Sequence, residues 1–272
     1  MQTENNNTTT GKRSAIFSAL LSLITPGLGH LYNGKLRLAI IIPAIFLMLS
    51  AVIIVAGLIK IFAFMVILVL LLIAVYLYST IHSIILARRN FSYQIKNYNK
   101  FIIYILWPIL FFGVGLIISE SNPVRAFNVP SYGMMNTLIQ GDMILADMNY
   151  YETNIVNRND IVIFDDPVYP DRFIIKRAIA FGGETISIIN GQIFINGKLL
   201  EENNPNIIYE TGNYFFLDEM KIPHGYIFFI GDNRPESLNS RMIGPVPQNN
   251  VRGKPIYIYF SNSFDRIGTR LK

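Results

Sequence analysis

The chain contains no cysteine and only three histidines, His30, His82 and His224, set far apart along 272 residues. Disulfides, thiolate catalysis and cysteine-type metal sites are excluded, and neither a Ser-His-Asp triad nor a histidine metal centre is expected. Hydrolytic chemistry must then use a base other than histidine. A lysine serves when burial among apolar groups penalises its ammonium form, so that the neutral amine can take a proton from a hydroxyl. Lys176 has that setting in Arg172-Phe-Ile-Ile-Lys-Arg177, a strand in which it shares a face with Ile174 and Ala178. Its other reading is a solvated lysine on an edge strand. Two further constellations accompany it: Pro130-Ser-Tyr-Gly-Met-Met-Asn-Thr-Leu138, followed by Gly141-Asp142, and Gly231-Asp-Asn-Arg-Pro-Glu-Ser-Leu-Asn-Ser-Arg241.

These residues need a scaffold, and the composition divides it in two. Hydrophobic residues make up 51% of the chain and charged ones only 15%, too apolar for an ordinary soluble protein. The apolar residues concentrate before Glu120, in the segments Ala15–Tyr32, Leu36–Ile59, Ile61–Leu86 and Phe101–Ser119. The last three can each span a hydrocarbon core of about 30 Å, whereas the first is broken by Pro26, Gly27 and Gly29. A membrane domain of three crossings plus one re-entrant or interfacial segment is expected over residues 14–119, after a disordered tail at 1–13. The first apolar segment does not read as a cleaved signal peptide.

Arg88, Arg89, Lys96 and Lys100 form the densest basic cluster beside a span and are expected on the cytoplasmic side, which places residues 120–272 on the other. The net charge of +5 is thus a membrane-orientation signal, and no nucleic-acid partner is implied. Beyond Glu120 the runs are short and rich in Ile, Val, Phe and Tyr, such as Asp160-Ile-Val-Ile-Phe164 and Tyr226-Ile-Phe-Phe-Ile230, with turns at Asn190-Gly191 and Asn196-Gly197. That pattern predicts a mainly-β domain of sandwich or barrel type. The string from Pro26 to Gly34 reads as a tight interhelical turn rather than a ligand site at His30, and it resembles an N-terminal membrane module of several bacterial proteins.

In order and spacing the three constellations resemble the boxes of the bacterial type I signal peptidases, Ser/Lys proteases carried by a membrane anchor. The resemblance covers Pro130 to Pro247 and implies a membrane α-helical anchor plus a mainly-β catalytic domain. It further implies Lys176 as general base, Ser237 as the serine that orients its amine, Asp232 and Arg241 as a structural ion pair, and Met134 at the substrate-binding surface. The implied partners are the signal peptides of exported preproteins and membrane lipid. No metal or cofactor is implied.

One residue departs from the pattern: the position of the family's nucleophilic serine holds Gly133. Ser131, whose counterpart is associated with the oxyanion hole, is then either an oxyanion donor or a replacement nucleophile. In an extended segment it would share a face with Gly133, with Cα atoms about 6–7 Å apart. Thr137 and a lysine-activated water are further candidates. Pro235 and Asn239 replace acidic residues usual in the family. The expected function is removal of signal peptides at the extracytoplasmic face of the bacterial inner membrane. The alternatives are a non-catalytic relative that binds signal peptides or envelope partners, and a self-cleaving Ser/Lys regulator.

Overall fold

The computed structural model describes residues 10–89, 93–94, 96–120, 122–169, 171–202, 204–209, 216–235, 237 and 240–272. The chain divides into two compact units, Met1–Asn122 and Pro123–Lys272.

In the first unit the helices follow the apolar segments: α1 (Ala15–Ile24), α2 (Leu28–Tyr32), α3 (Leu36–Val55), α4 (Phe62–Arg89) and α5 (Phe101–Glu120). Ser14 caps α1, its hydroxyl accepting from the Phe17 N–H at 3.2 Å. Among the described residues, only α3, α4 and α5 are long and apolar enough to cross a membrane. The ten residues of α1 reach about 15 Å and stop before Pro26. Most of the expected N-terminal tail, residues 1–9, lies outside the described residues. Its end is not free chain, because β1 (Thr10–Gly11) pairs antiparallel with β2 (Tyr93–Gln94).

The segment from Pro26 to Gly34 packs α1 against α4, as the sequence led us to expect, and it does so through polar groups. Asn33 donates to the Ser18 hydroxyl and to the Ser83 carbonyl, both at 2.8 Å, and the Gly27 N–H donates to Ser79 at 2.9 Å. Satisfying such groups within the bundle removes the cost of leaving them bare in an apolar setting. Although far apart in the chain, His30 and His82 come together here, their rings meeting at 3.0 Å between Nε2 and Nδ1. They join no third histidine or carboxylate among the described residues.

The second unit is mainly β, in agreement with the expected class. Its strands are β3 (Val124–Asn128), β4 (Met143–Asp147), β5 (Ile161–Asp165), β6 (Phe173–Phe181), β7 (Thr185–Ile189), β8 (Gln192–Ile195), β9 (Lys198–Leu199), β10 (Leu217–Lys221), β11 (Tyr226–Ile230), β12 (Val246–Pro247) and β13 (Val251–Phe260). Seven form an antiparallel sheet in the order β12-β11-β6-β5-β13-β4-β3, and four form a smaller sheet, β10-β7-β8-β9. β13 passes between β5 and β4 with register shifts after Val251, Pro255 and Ile258, which bend the large sheet. Asn190-Gly191 joins β7 to β8 and Asn196-Gly197 joins β8 to β9. All four residues have positive φ, as the tight turns that match strand twist require.

The core fills from both sheets. Ile179, Ala180, Phe228 and Ile230 pack on Ile186, Ile188 and Ile193 of the small sheet. A second cluster joins Val162, Phe164, Ala178, Phe229 and Val246, with the Phe164 and Phe229 rings stacked at 4.3 Å. The third, Val129, Met134, Leu138, Ile144, Ile161 and Ile258, anchors the loop between β3 and β4.

Candidate active site

Strand β6 carries Lys176 in the interior of the large sheet, paired with Val162 of β5 on one side and flanked by β11 on the other. The edge-strand reading therefore fails. Lys176 is 5% exposed, and burial lowers its pKa to about 8, a fall that the nearby Asp232 carboxylate limits. About a tenth of the amine is then neutral at pH 7, far more than for an ordinary lysine, and the neutral form is the state a general base needs.

The loop between β3 and β4 brings Gly133 to that amine. The loop is pinned at its neck, where the Val129 N–H donates to Asp142 O and the Gly141 N–H donates to Val129 O, both at 2.9 Å. Asp142 secures the same neck by accepting from the Ile139 N–H and from Arg266 at 2.7 Å. Burial pushes the Asp142 carboxyl up, but these bonds outweigh it and hold its pKa below the usual carboxylate value. Arg266 also donates to the Thr137 carbonyl at 3.0 Å, tying the last strand's extension to the loop.

A second loop, after β11, closes over the first. Asn233 donates from its backbone to Gly133 O at 3.3 Å and from its side chain to Tyr132 O at 3.0 Å. Gly231 permits the approach: a Cβ there would lie 2.0 Å from Ser237 Oγ and 2.2 Å from Gly133 O. Asp232 accepts two bonds from Arg177, at 2.9 and 2.7 Å, and one from the Thr137 hydroxyl. Such bidentate pairs fix orientation as well as charge.

At the centre, a Cβ built on Gly133 would stand 2.5 Å from Lys176 Nζ and 3.5 Å from Ser237 Oγ. The Ser237 hydroxyl is buried and has no hydrogen-bond partner among the described residues. An orphan of this kind costs about 1–3 kcal/mol, so it calls for a role in the site. The arrangement is a desolvated amine and a buried hydroxyl converging on one backbone carbon.

The structure brings together Lys176, Gly133, Ser237 and Asp232, and it corrects four other expectations. The partner of Asp232 is Arg177, not Arg241, whose guanidinium donates to the Arg234 carbonyl at 3.1 Å. Met134 is core, 3% exposed with its sulfur accepting from the Asp232 N–H, and presents no surface to a substrate. Ser131 is exposed on a turn rather than in an extended segment, and its hydroxyl makes no bond to Lys176. Thr137 spends its hydroxyl on Asp232. Pro235 is exposed, and Asn239 lies outside the described residues.

The sequence reading missed Arg177 and Asn233. Arg177 was noted only as a flank of Lys176, although a charged pair inside an apolar strand signals a buried counter-ion. Asn233 gives no signal of its own, because an asparagine after an aspartate reads as a turn.

Comparison with known proteins identifies a family and relatives of this chain. The family model described as signal peptidase, peptidase S26, matches residues 95–260. The chain is 32% identical over 146 residues to thylakoidal processing peptidase 1 of Arabidopsis thaliana, covering 50% of this chain but only 42% of that protein. It is 28% identical over 194 residues to signal peptidase I of Aquifex aeolicus, covering 50% of this chain and 76% of the relative. With signal peptidase I V of Bacillus subtilis it shares 31% identity over 137 residues, covering 47% of this chain and 80% of that one. A solved signal peptidase I from Enterococcus faecalis is 30% identical, with a TM-score of 0.31 over 37% of this chain and 97% of that one.

Proposed function

The chain belongs to the signal peptidase family, peptidase S26, and from that premise we propose that it is a membrane-bound endopeptidase that removes signal peptides from exported preproteins. Lys176 is the general base and Ser237 the residue that positions its amine. The observation that carries this reading is the buried, deprotonatable Lys176 directed at Gly133 beside Ser237. A lysine desolvated in this way weakens the fold, and a relative that only bound peptides would gain nothing from it.

The anchor fits the substrate. A signal peptide is itself an apolar segment held in the bilayer, and its cleavage site emerges at the membrane surface. The three long apolar helices supply the anchor, and the basic loop from Arg88 to Lys100 supports an extracytoplasmic catalytic unit in a multi-pass protein. Membrane lipid is the second partner, and nucleic acid is not one.

The test is incubation of the purified full-length protein in detergent with a preprotein carrying small residues before its cleavage site. Cleavage at that site, lost in Lys176→Met, is expected. Cleavage unchanged in Lys176→Met, or no cleavage by the wild type, would overturn the reading.

A further inference from the structure

Among the described residues, the three candidate hydroxyls, those of Ser131, Thr137 and Ser237, supply no nucleophile. Ser131 is exposed on its bend, Thr137 donates to Asp232, and the buried Ser237 hydroxyl stands 3.5 Å from where a Gly133 Cβ would lie. What remains is an amine with a depressed affinity for protons, an orphan hydroxyl, and a glycine that presents only hydrogen to the space between them.

We propose that this chain, if the signal-peptidase reading above holds, hydrolyses its substrate directly, with Lys176 activating a water that takes the place of the absent serine hydroxyl. A water and a serine hydroxymethyl group are similar in size, and a bound water needs two or more polar partners. Lys176 Nζ and Ser237 Oγ provide two, and the scissile carbonyl completes the setting. Contact with the Gly133 α-carbon sets the water back from where a covalently attached oxygen would lie, and the flexible end of the lysine side chain yields to admit it. The oxygen of the water attacks the scissile carbonyl carbon while its proton passes to Nζ. The C–N bond of the tetrahedral adduct then breaks, its electron pair goes to nitrogen, and the proton on Nζ passes to the departing amine. A carboxylic acid and an amine leave, the lysine is neutral again, and no bond between substrate and protein has formed.

The consequence is a slower enzyme with no acyl-enzyme. The experiment compares the full-length wild type, Gly133→Ser, Ser131→Ala, Ser237→Ala and Lys176→Met in detergent, using a preprotein for turnover and an activated peptide ester for trapping. Acid-quenched samples are read by intact-mass spectrometry. The proposal expects wild type to cleave without an added acyl mass and Ser131→Ala to keep cleaving, without the loss of several powers of ten that removing a nucleophile brings. Lys176→Met should lose about 10²-fold or more, the usual contribution of a positioned base. Ser237→Ala should stay active but with a displaced pH–rate midpoint, as expected when the amine loses its positioning residue. Gly133→Ser should cleave faster and acquire the acyl mass on residue 133. An acyl mass on Ser131 or Ser237 of the wild type overturns the proposal. An inert wild type overturns this proposal and the endopeptidase reading together, even beside an active Gly133→Ser. Inertness of both removes the two together.

Discussion

Replacing Lys176 with methionine should abolish activity and stabilise the protein, by an amount that depends on pH. Lys176 has a pKa of about 8 in the folded chain against an ordinary value of 10.5, with burial as the main cause. Between those two values the unfolded chain holds a proton that the folded chain has released, so stability rises with pH across this window. Below pH 8 the full penalty is present. A difference of about 2.5 in pKa corresponds to about 3 kcal/mol. Methionine has a similar length and no charge to desolvate, so Lys176→Met recovers most of that penalty at pH 7. Asp232 loses a favourable neighbour in the variant but keeps its two bonds to Arg177, which trims the gain without reversing it. For a unit of about 150 residues, 3 kcal/mol corresponds to a rise of about 6–12 °C in the unfolding midpoint. Scanning calorimetry of the detergent-solubilised protein at pH 7 and again above pH 10.5 reads both quantities. The gain should shrink toward the high-pH measurement, where lysine is neutral in both states. A gain that is absent at pH 7, or the same at both pH values, would refute the argument that Lys176 is held against its own hydration.

Three other changes probe the surroundings. Asp232→Asn strands the buried Arg177 guanidinium and should cost about 3–5 kcal/mol in chemical denaturation; by removing the carboxylate that favours the ammonium form, it should also move the pH–rate midpoint below that of the wild type. Gly231→Ala places a methyl group against Ser237 and the Gly133 carbonyl, and should lower the unfolding free energy by about 1–3 kcal/mol while abolishing cleavage, even in a Gly133→Ser background. Reporters fused after Lys96 and at Asp147 should give cytoplasmic and external signals respectively, and a cytoplasmic signal at Asp147 would reverse the orientation drawn from the basic loop.

The patterns that depend on neighbours in the chain could be read from the sequence. Hydropathy alone separates the helical anchor from the β unit, because a bilayer span must be apolar along its length, whereas a strand with one solvated face alternates. The turns at Asn190-Gly191 and Asn196-Gly197 are local backbone chemistry, and both stand where they were expected. The three boxes, and Gly133 within the first, were likewise visible as residue types at fixed spacing. What the sequence could not decide is which charge meets which. Arg177 and Arg241 are equally good partners for Asp232 in a list of residues, and only the pairing of β6 with β11 puts Arg177 within reach. Nor could it place Ser131, since a turn and a strand carry the same serine to opposite surroundings, or withdraw Met134 into the core. The depressed pKa of Lys176 is the clearest case. Its flanking apolar residues suggest desolvation, but β6 lies between two other strands, and it is that long-range pairing, formed by segments well separated in the chain, that excludes the water an exposed ammonium would keep.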